Sequence, residues 1–165
     1  MDKANYSSLD LIKTGGFGEI YRATQEKQGI KRLVILKTIK KKFITSKKVQ
    51  EQFEDELRVT FPLSHPNIGQ ILDYYENENK VFFVMEYIQG KTVRELQKKA
   101  SKVNKQMTIP QVLFLILESA KALDYAHNYI DPFSNRKSPI IHRDISPQNI
   151  MITFNGRVKV IDFGV

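Results

Sequence analysis

The chain has 165 residues, 41% of them hydrophobic and 27% charged, with a net charge of +8 and no cysteine. That balance describes one folded domain with a hydrophobic core rather than a disordered chain. The missing cysteine excludes disulfides, thiolate catalysis and a cysteine zinc site, and it fits a cytoplasmic protein. The longest uninterrupted apolar run, Val112 to Leu117, is far short of the roughly 20 residues of a membrane-spanning helix, so no membrane segment is expected. Met1-Asp2-Lys3-Ala4-Asn5 has no apolar core behind its charge, and no signal peptide is expected. Lysines gather at Lys40 to Lys42, Lys47-Lys48 and Lys98-Lys99 without interleaved aromatic residues. They read as a solvated surface rather than a nucleic-acid interface.

The first third reads as strands. Leu9 to Thr14, Glu19 to Thr24 and Leu33 to Ile39 are β-branched runs separated by a glycine cluster and by a polar turn at Gln28-Gly29. The glycine cluster, Thr14-Gly15-Gly16-Phe17-Gly18, reads equally as a plain hairpin turn or as a loop whose backbone N–H groups cradle phosphate. Within Val34-Ile35-Leu36-Lys37, alternation puts Lys37 on the face of Ile35 and Ile39. A lysine there either snorkels to water or meets an anion.

A helix is expected from Val49 to Phe61, ended by Pro62, with Val49, Phe53, Leu57, Thr60 and Phe61 on one side. Glu56 projects between Val49 and Phe53, either at the border of that stripe or as a partner for Lys37. Strands follow at Ile71 to Tyr75 and Val81 to Tyr87, and Gly90 is read as the end of that sheet. Thr108-Ile109-Pro110-Gln111 has the form of a capping box. The helix it opens, to about His127, is apolar almost all round and is expected to be buried on most sides. Short strands at Ile150 to Thr153 and Arg157 to Ile161, joined by Asn155-Gly156, close the chain.

His142-Arg143-Asp144, then Asn149, then Asp162-Phe163-Gly164 present two carboxylates and an amide on loops. Such oxygen donors suit magnesium, and a loop carboxylate suits a hydroxyl nucleophile. Taken in order, the glycine loop, Lys37, Glu56, His142-Arg143-Asp144 with Asn149, and Asp162-Phe163-Gly164 resemble the protein kinase signature set. His65-Pro66-Asn67-Ile68 and Val84-Met85-Glu86-Tyr87 are similar to the family's post-helix segment and hinge, and Asp144-Ile145-Ser146-Pro147-Gln148-Asn149 to a bacterial branch of its Ser/Thr members.

The resemblance implies an α+β kinase fold, with a β-rich N-lobe and hinge over about 1–88 and an incomplete, mainly helical C-lobe over about 89–165. It implies Gly15, Gly16 and Gly18 over the ATP phosphates, and Lys37 on the α- and β-phosphates, paired with Glu56. Met85 would back the adenine pocket, and the backbone of Glu86 and Ile88 would hydrogen-bond adenine. Asp144 would take the proton of a protein hydroxyl, and Asn149 and Asp162 would bind Mg2+. His65 and His127 are expected to pack or cap locally; His142 and Phe163 would be structural.

Three departures stand out. Lys13 occupies the place of the first loop glycine, Ser146 that of the usual catalytic-loop lysine, and the chain ends at Val165, before any activation segment. The implied activity is ATP-dependent phosphorylation of serine or threonine in proteins, with little transfer expected from this stretch alone. A non-catalytic nucleotide-binding module and a small-molecule kinase are the alternatives. Arg143 and Asp162-Phe163-Gly164 speak against the second of these.

Overall fold

The computed structural model describes residues 5–14, 18–40, 60–76 and 80–163. The chain divides into two compact units, Met1–Leu57 with Gln70–Tyr87, and Arg58–Gly69 with Ile88–Val165.

The first unit is an antiparallel sheet of five strands in the order β1-β2-β3-β5-β4. Its strands are β1 (Asn5–Thr14), β2 (Gly18–Lys27), β3 (Ile30–Lys40), β4 (Ile71–Glu76) and β5 (Lys80–Glu86). Each extends the corresponding expected strand at one or both ends, except that β5 stops at Glu86, one residue before the expected end. The β2–β3 turn holds Gln28 at φ 52° and Gly29 at φ 78°. Positive φ at both central residues makes a type I′ turn, whose twist suits the flanking strands. It locks the register, so Lys27 faces Ile30 and the pairing runs unbroken to Gly18 opposite Ile39. Lys13 is a ladder residue opposite Ile20, just past a register shift that follows Leu11; the side chain standing in place of glycine therefore lies in a strand.

Directly opposed residues share a face. Ala23 with Val34, and Tyr21, Leu36 and Val84, form one face and its buried core, bordered by Tyr6, Leu72 and Tyr75. Tyr75 stacks on Phe82 at 4.6 Å and on Tyr6 at 5.4 Å. Desolvation within this stack pushes the Tyr75 phenol up to about 12.

The second unit is built on a three-stranded sheet in the order β10-β9-β6. Its strands are β6 (Gly90–Thr92), β9 (Ile150–Thr153) and β10 (Val158–Val160), and the β9–β10 turn contains Gly156 at φ 81°. Gly90 does not end a sheet here; it opens β6 and pairs with Thr153. A Cβ on Gly90 would lie 2.3 Å from the Ile152 carbonyl oxygen, so the backbones approach too closely for any side chain.

Helix α1 (Val93–Lys102) begins in a capping box: Thr92 Oγ1 accepts from the Glu95 N–H at 3.1 Å, and Glu95 Oε2 accepts from the Thr92 N–H at 2.8 Å. The bond from the Thr92 backbone, foremost, holds the Glu95 carboxyl below its ordinary range. Helix α2 (Ile109–His127) has Pro110 in its first turn, and Gln111 Oε1 accepts from the Thr108 N–H at 2.9 Å.

Burial of α2 is confined to one face. Leu115, Ser119, Ala122 and Ala126 make one buried stripe, while Ile109, Leu113, Phe114, Ile116 and Leu117 are exposed. The described neighbours cover a single face, so an apolar composition all round the helix does not become burial all round. Among the described residues no helix is long and apolar enough to cross a membrane. After α2 comes a small hairpin of β7 (Ile130–Asp131) and β8 (Arg136–Lys137). The helix expected over 49–61 lies almost wholly outside the described residues.

Asn67 ties the segment before β4 to this core. Its Nδ2 donates to the Val158 carbonyl at 2.9 Å and to Glu118 Oε2 at 2.8 Å, and its own carbonyl accepts from Val160 N–H at 2.7 Å. Ile68 bridges Val160, and Leu63, Ile68, Ala122, Ala126, Ile140, Val160 and Phe163 form one buried cluster. His65 caps locally, as expected: Nδ1 accepts from the Asn67 N–H at 3.1 Å, and the ring stacks on Tyr125 at 5.0 Å. His127 is exposed in the last turn of α2.

Two outcomes follow. Gly90→Ala must part β6 from β9 and should lower the stability of the second unit by about 1–3 kcal/mol, read as a lower urea midpoint. Desolvation lowers the His65 pKa from 6.5. Its folded state therefore favours the neutral ring, and the stability it contributes is full above pH 6.5 and lost as the pH falls below that value. Melting temperature measured from pH 8 to pH 5 should fall more steeply for the native chain than for His65→Asn.

Candidate active site

The catalytic-loop residues expected from sequence meet in the second unit, and His142 is their centre. The side chain is 1% exposed. Its Nε2 lies 3.0 Å from the Ile161 carbonyl, and its Nδ1 accepts from the Asp144 N–H at 3.3 Å. A carbonyl on one nitrogen and an N–H on the other assign the neutral tautomer with the proton on Nε2. The ring also packs against Phe163, centroids 4.5 Å apart. One buried imidazole thus links the start of the loop to the segment that follows β10.

Asn149 closes the loop from its other end. Its Nδ2 donates to the Asp144 carbonyl at 3.0 Å and to Asp144 Oδ2 at 2.9 Å. Its backbone donates to the Ser146 carbonyl at 2.9 Å and accepts from the Ile161 N–H at 2.9 Å. Asp144 is exposed while Asn149 is buried, so the carboxylate meets solvent from a loop fixed by groups beneath it.

Two non-glycine residues here adopt left-handed backbone, Arg143 at φ 69° and Asp162 at φ 58°. Such conformations cost roughly 1–3 kcal/mol each and persist where surrounding bonds over-determine them. Both adjoin residues bonded to His142. Arg143 carries no local signal for this conformation, and Asp162 only the weak one that aspartate tolerates it better than most residues.

The donor set fits a hard cation. With both protons of Nδ2 engaged by Asp144, Asn149 keeps its amide oxygen as an acceptor, and Asp162 follows directly on Ile161, which is bonded to Asn149. Carboxylate and amide oxygens are the ligands of magnesium-like ions. Ser146, in the place of the usual lysine, has a buried hydroxyl without a partner among the described residues.

In the first unit Lys37 stands opposite Ile20 on β2 and Phe83 on β5, with Ile35 opposite Met85 on the same face. The half-buried lysine therefore sits on an apolar strand face, as alternation predicts. Gly18 opens β2, and Glu86 ends β5, where its N–H donates to the Gln70 carbonyl at 2.9 Å. Ile88 is buried in the second unit, beside Gly69. Gly15, Gly16, Glu56 and Gly164 lie outside the described residues.

The sequence reading did not include α1. Its first turn reaches the catalytic loop, because the Arg94 N–H donates to the Pro147 carbonyl at 2.8 Å. The signal was available in Thr92-Val93-Arg94-Glu95, which has the same capping-box form as the start of α2.

The profile of the protein kinase domain matches residues 6–165. The chain belongs to the protein kinase family. It is 34% identical over 160 residues to the probable serine/threonine-protein kinase CPE1738 of Clostridium perfringens, a match that covers 97% of this chain and 21% of that protein. It is 32% identical to the tyrosine-protein kinase MasK of Myxococcus xanthus, over 97% of this chain and 25% of MasK. It is 31% identical to the serine/threonine-protein kinase PknA of Mycobacterium tuberculosis, over 97% of this chain and 35% of PknA. The chain thus spans about a fifth to a third of these kinases. Its strand-rich first unit and its catalytic-loop unit agree with the α+β kinase fold, and the family implies ATP and, as a rule, a divalent metal.

The His142 network has a measurable weight. His142→Ala removes a buried ring and strands the Asp144 N–H and Ile161 carbonyl, and should cost about 3–5 kcal/mol of stability. Urea denaturation checks this, and Phe163→Leu combined with His142→Ala should cost less than the sum of the two single changes.

Proposed function

We propose that this chain is the nucleotide-binding and catalytic-loop part of a protein kinase that transfers the γ-phosphoryl group of ATP to serine or threonine hydroxyls of proteins. The observation that carries the reading is the double hold on Asp144, by His142 on its backbone and Asn149 on its carboxylate.

In this reading Gly15, Gly16 and Gly18 bring backbone N–H groups over the phosphates, and Lys37, oriented by Glu56, binds the α- and β-phosphates. The backbone of Glu86 and Ile88 holds adenine, with Met85 behind it. Asn149 and Asp162 hold Mg2+, which neutralises charge on the phosphates. Asp144 orients the substrate hydroxyl and accepts its proton. The hydroxyl oxygen bonds to the γ-phosphorus as the bond to the β–γ bridging oxygen breaks, and ADP leaves. A need for ATP supports a cytoplasmic setting for this chemistry.

Serine or threonine is favoured over tyrosine by the resemblance of the segment from Asp144 to Asn149 to Ser/Thr kinase loops and by similarity to CPE1738 and PknA, serine/threonine kinases by name. MasK, a tyrosine kinase by name, makes phosphoamino-acid analysis of the product the deciding measurement.

The test reads binding and transfer separately. Mg-ATP should raise the melting temperature of residues 1–165; EDTA, Lys37→Ala and Asp162→Asn should each reduce that rise. Asp144→Asn should keep the rise while lowering label transfer from ATP to a protein acceptor by at least about 100-fold. Absence of any Mg-ATP response would sink the reading, as would transfer that survives Asp144→Asn. A response without transfer would assign nucleotide binding alone to this stretch.

A further inference from the structure

From Lys91 to Lys105 the sequence carries six cations and one acid, Glu95. The structure spends one of the six on that acid: Lys91 Nζ lies 3.3 Å from Glu95 Oε1. Arg94, Lys98 and Lys102 recur every four residues along α1 and are exposed, so they form one stripe. Lys99 and Lys105 flank it, also exposed, and among the described residues none of these five side chains pairs with a carboxylate. Lys99 and Lys102 stand in the last turn, where a cation suits the helix dipole. Arg94 and Lys98 lie before it, and like charges at this spacing destabilise a helix slightly, so those two are not explained by the stability of α1.

Its position gives it a use. The stripe starts at Arg94, whose backbone is bonded to Pro147 in the loop that presents Asp144. It runs about 12 Å along the helix at 1.5 Å per residue, the reach of about four residues of extended chain. The apolar side of α1 is already turned inward, with Val93 buried and Leu96 and Ala100 half-buried, so no apolar face is left beside the cations for a bilayer. No aromatic residue stands among them to stack bases. An acidic stretch of polypeptide is what remains.

We infer that Arg94, Lys98 and Lys102 form a docking surface for acidic residues flanking the phosphoacceptor of the protein substrate. This inference rests on the protein kinase reading above and names its substrate class.

The experiment uses residues 1–165 with Mg-ADP and two fluorescein-labelled serine peptides, one flanked by four aspartates and the other by four asparagines. By anisotropy at low salt the aspartate peptide should bind about tenfold tighter, from three exposed charge pairs. The preference should vanish in Arg94→Gln/Lys98→Gln/Lys102→Gln, shrink in Lys98→Gln/Lys102→Gln, and fall away in 0.5 M salt. It should persist in the control Lys27→Gln/Arg136→Gln/Lys137→Gln, which removes as much charge elsewhere. Equal loss in that control, or no preference in the native chain, overturns the inference. So does tighter binding of a dT oligonucleotide or of phosphatidylserine vesicles through the same three residues. The Mg-ATP melting shift, measured on each protein, separates the failures: a native chain that shifts without peptide preference fails only the docking surface, and one that does not shift fails the kinase reading itself.

Discussion

The second unit depends on what a single buried imidazole can do with both of its nitrogens. His142 donates a hydrogen bond from Nε2 to the Ile161 carbonyl and accepts one at Nδ1 from the Asp144 N–H, so two segments 19 and 2 residues away in sequence share one rigid ring. Neither contact is strong alone; an intramolecular hydrogen bond contributes about 1 kcal/mol net. Their value lies in burial, since a stranded donor or acceptor at 1% exposure would carry its whole desolvation penalty. That penalty is what allows Arg143 and Asp162 to keep left-handed backbone. The strain sits at both ends of the same ring, where the bonds can oppose it.

The sheet of this unit supplies the frame. β10 is held by β9 on one edge, and on the other by Asn67, which accepts from Val160 and donates to the Val158 carbonyl. β9 in turn receives β6, an approach so close that Gly90 leaves no room for a Cβ. Asn149 lies just before β9 and Ile161 just after β10, so the hairpin brings them together and their mutual backbone bond continues its ladder. The loop carrying Asp144 is short and polar, yet both of its ends are anchored in a sheet, which is how an exposed carboxylate acquires a fixed position.

How much of this was legible in the sequence depended on the range of the interactions. The strands were readable from β-branched runs between glycines, and a turn from Gln28-Gly29, because those signals are local. Lys37 could be assigned to a face by alternation alone. Gly90 was misread because a glycine after an apolar run looks like a terminator, whereas its cause is the Ile152 carbonyl, distant in sequence. Helix α1 went unread although its signals are local too: a capping box at Thr92 and Glu95, and Val93, Leu96 and Ala100 at helical spacing. The exposed faces of α2 show the converse limit: an apolar pattern reports what a helix can bury, and the neighbours decide what it does bury.

The two units solve the problem of holding a charged group by different physics. In the first, strand alternation puts Lys37 between Ile20 and Phe83, where an apolar face raises the value of any anion that meets it. In the second, the acidic group is left exposed, and bonds to its backbone N–H and to one carboxylate oxygen fix it. The difference suits the proposed roles: a cation that binds phosphate gains from an apolar setting, and an aspartate that accepts a proton needs an oriented oxygen, to which the Asn149 amide on Oδ2 contributes. The same distinction bears on α1, whose cations stand in water. Charges kept exposed and unpaired beside an oriented carboxylate are suited to a mobile, acidic polypeptide rather than to a fixed internal partner.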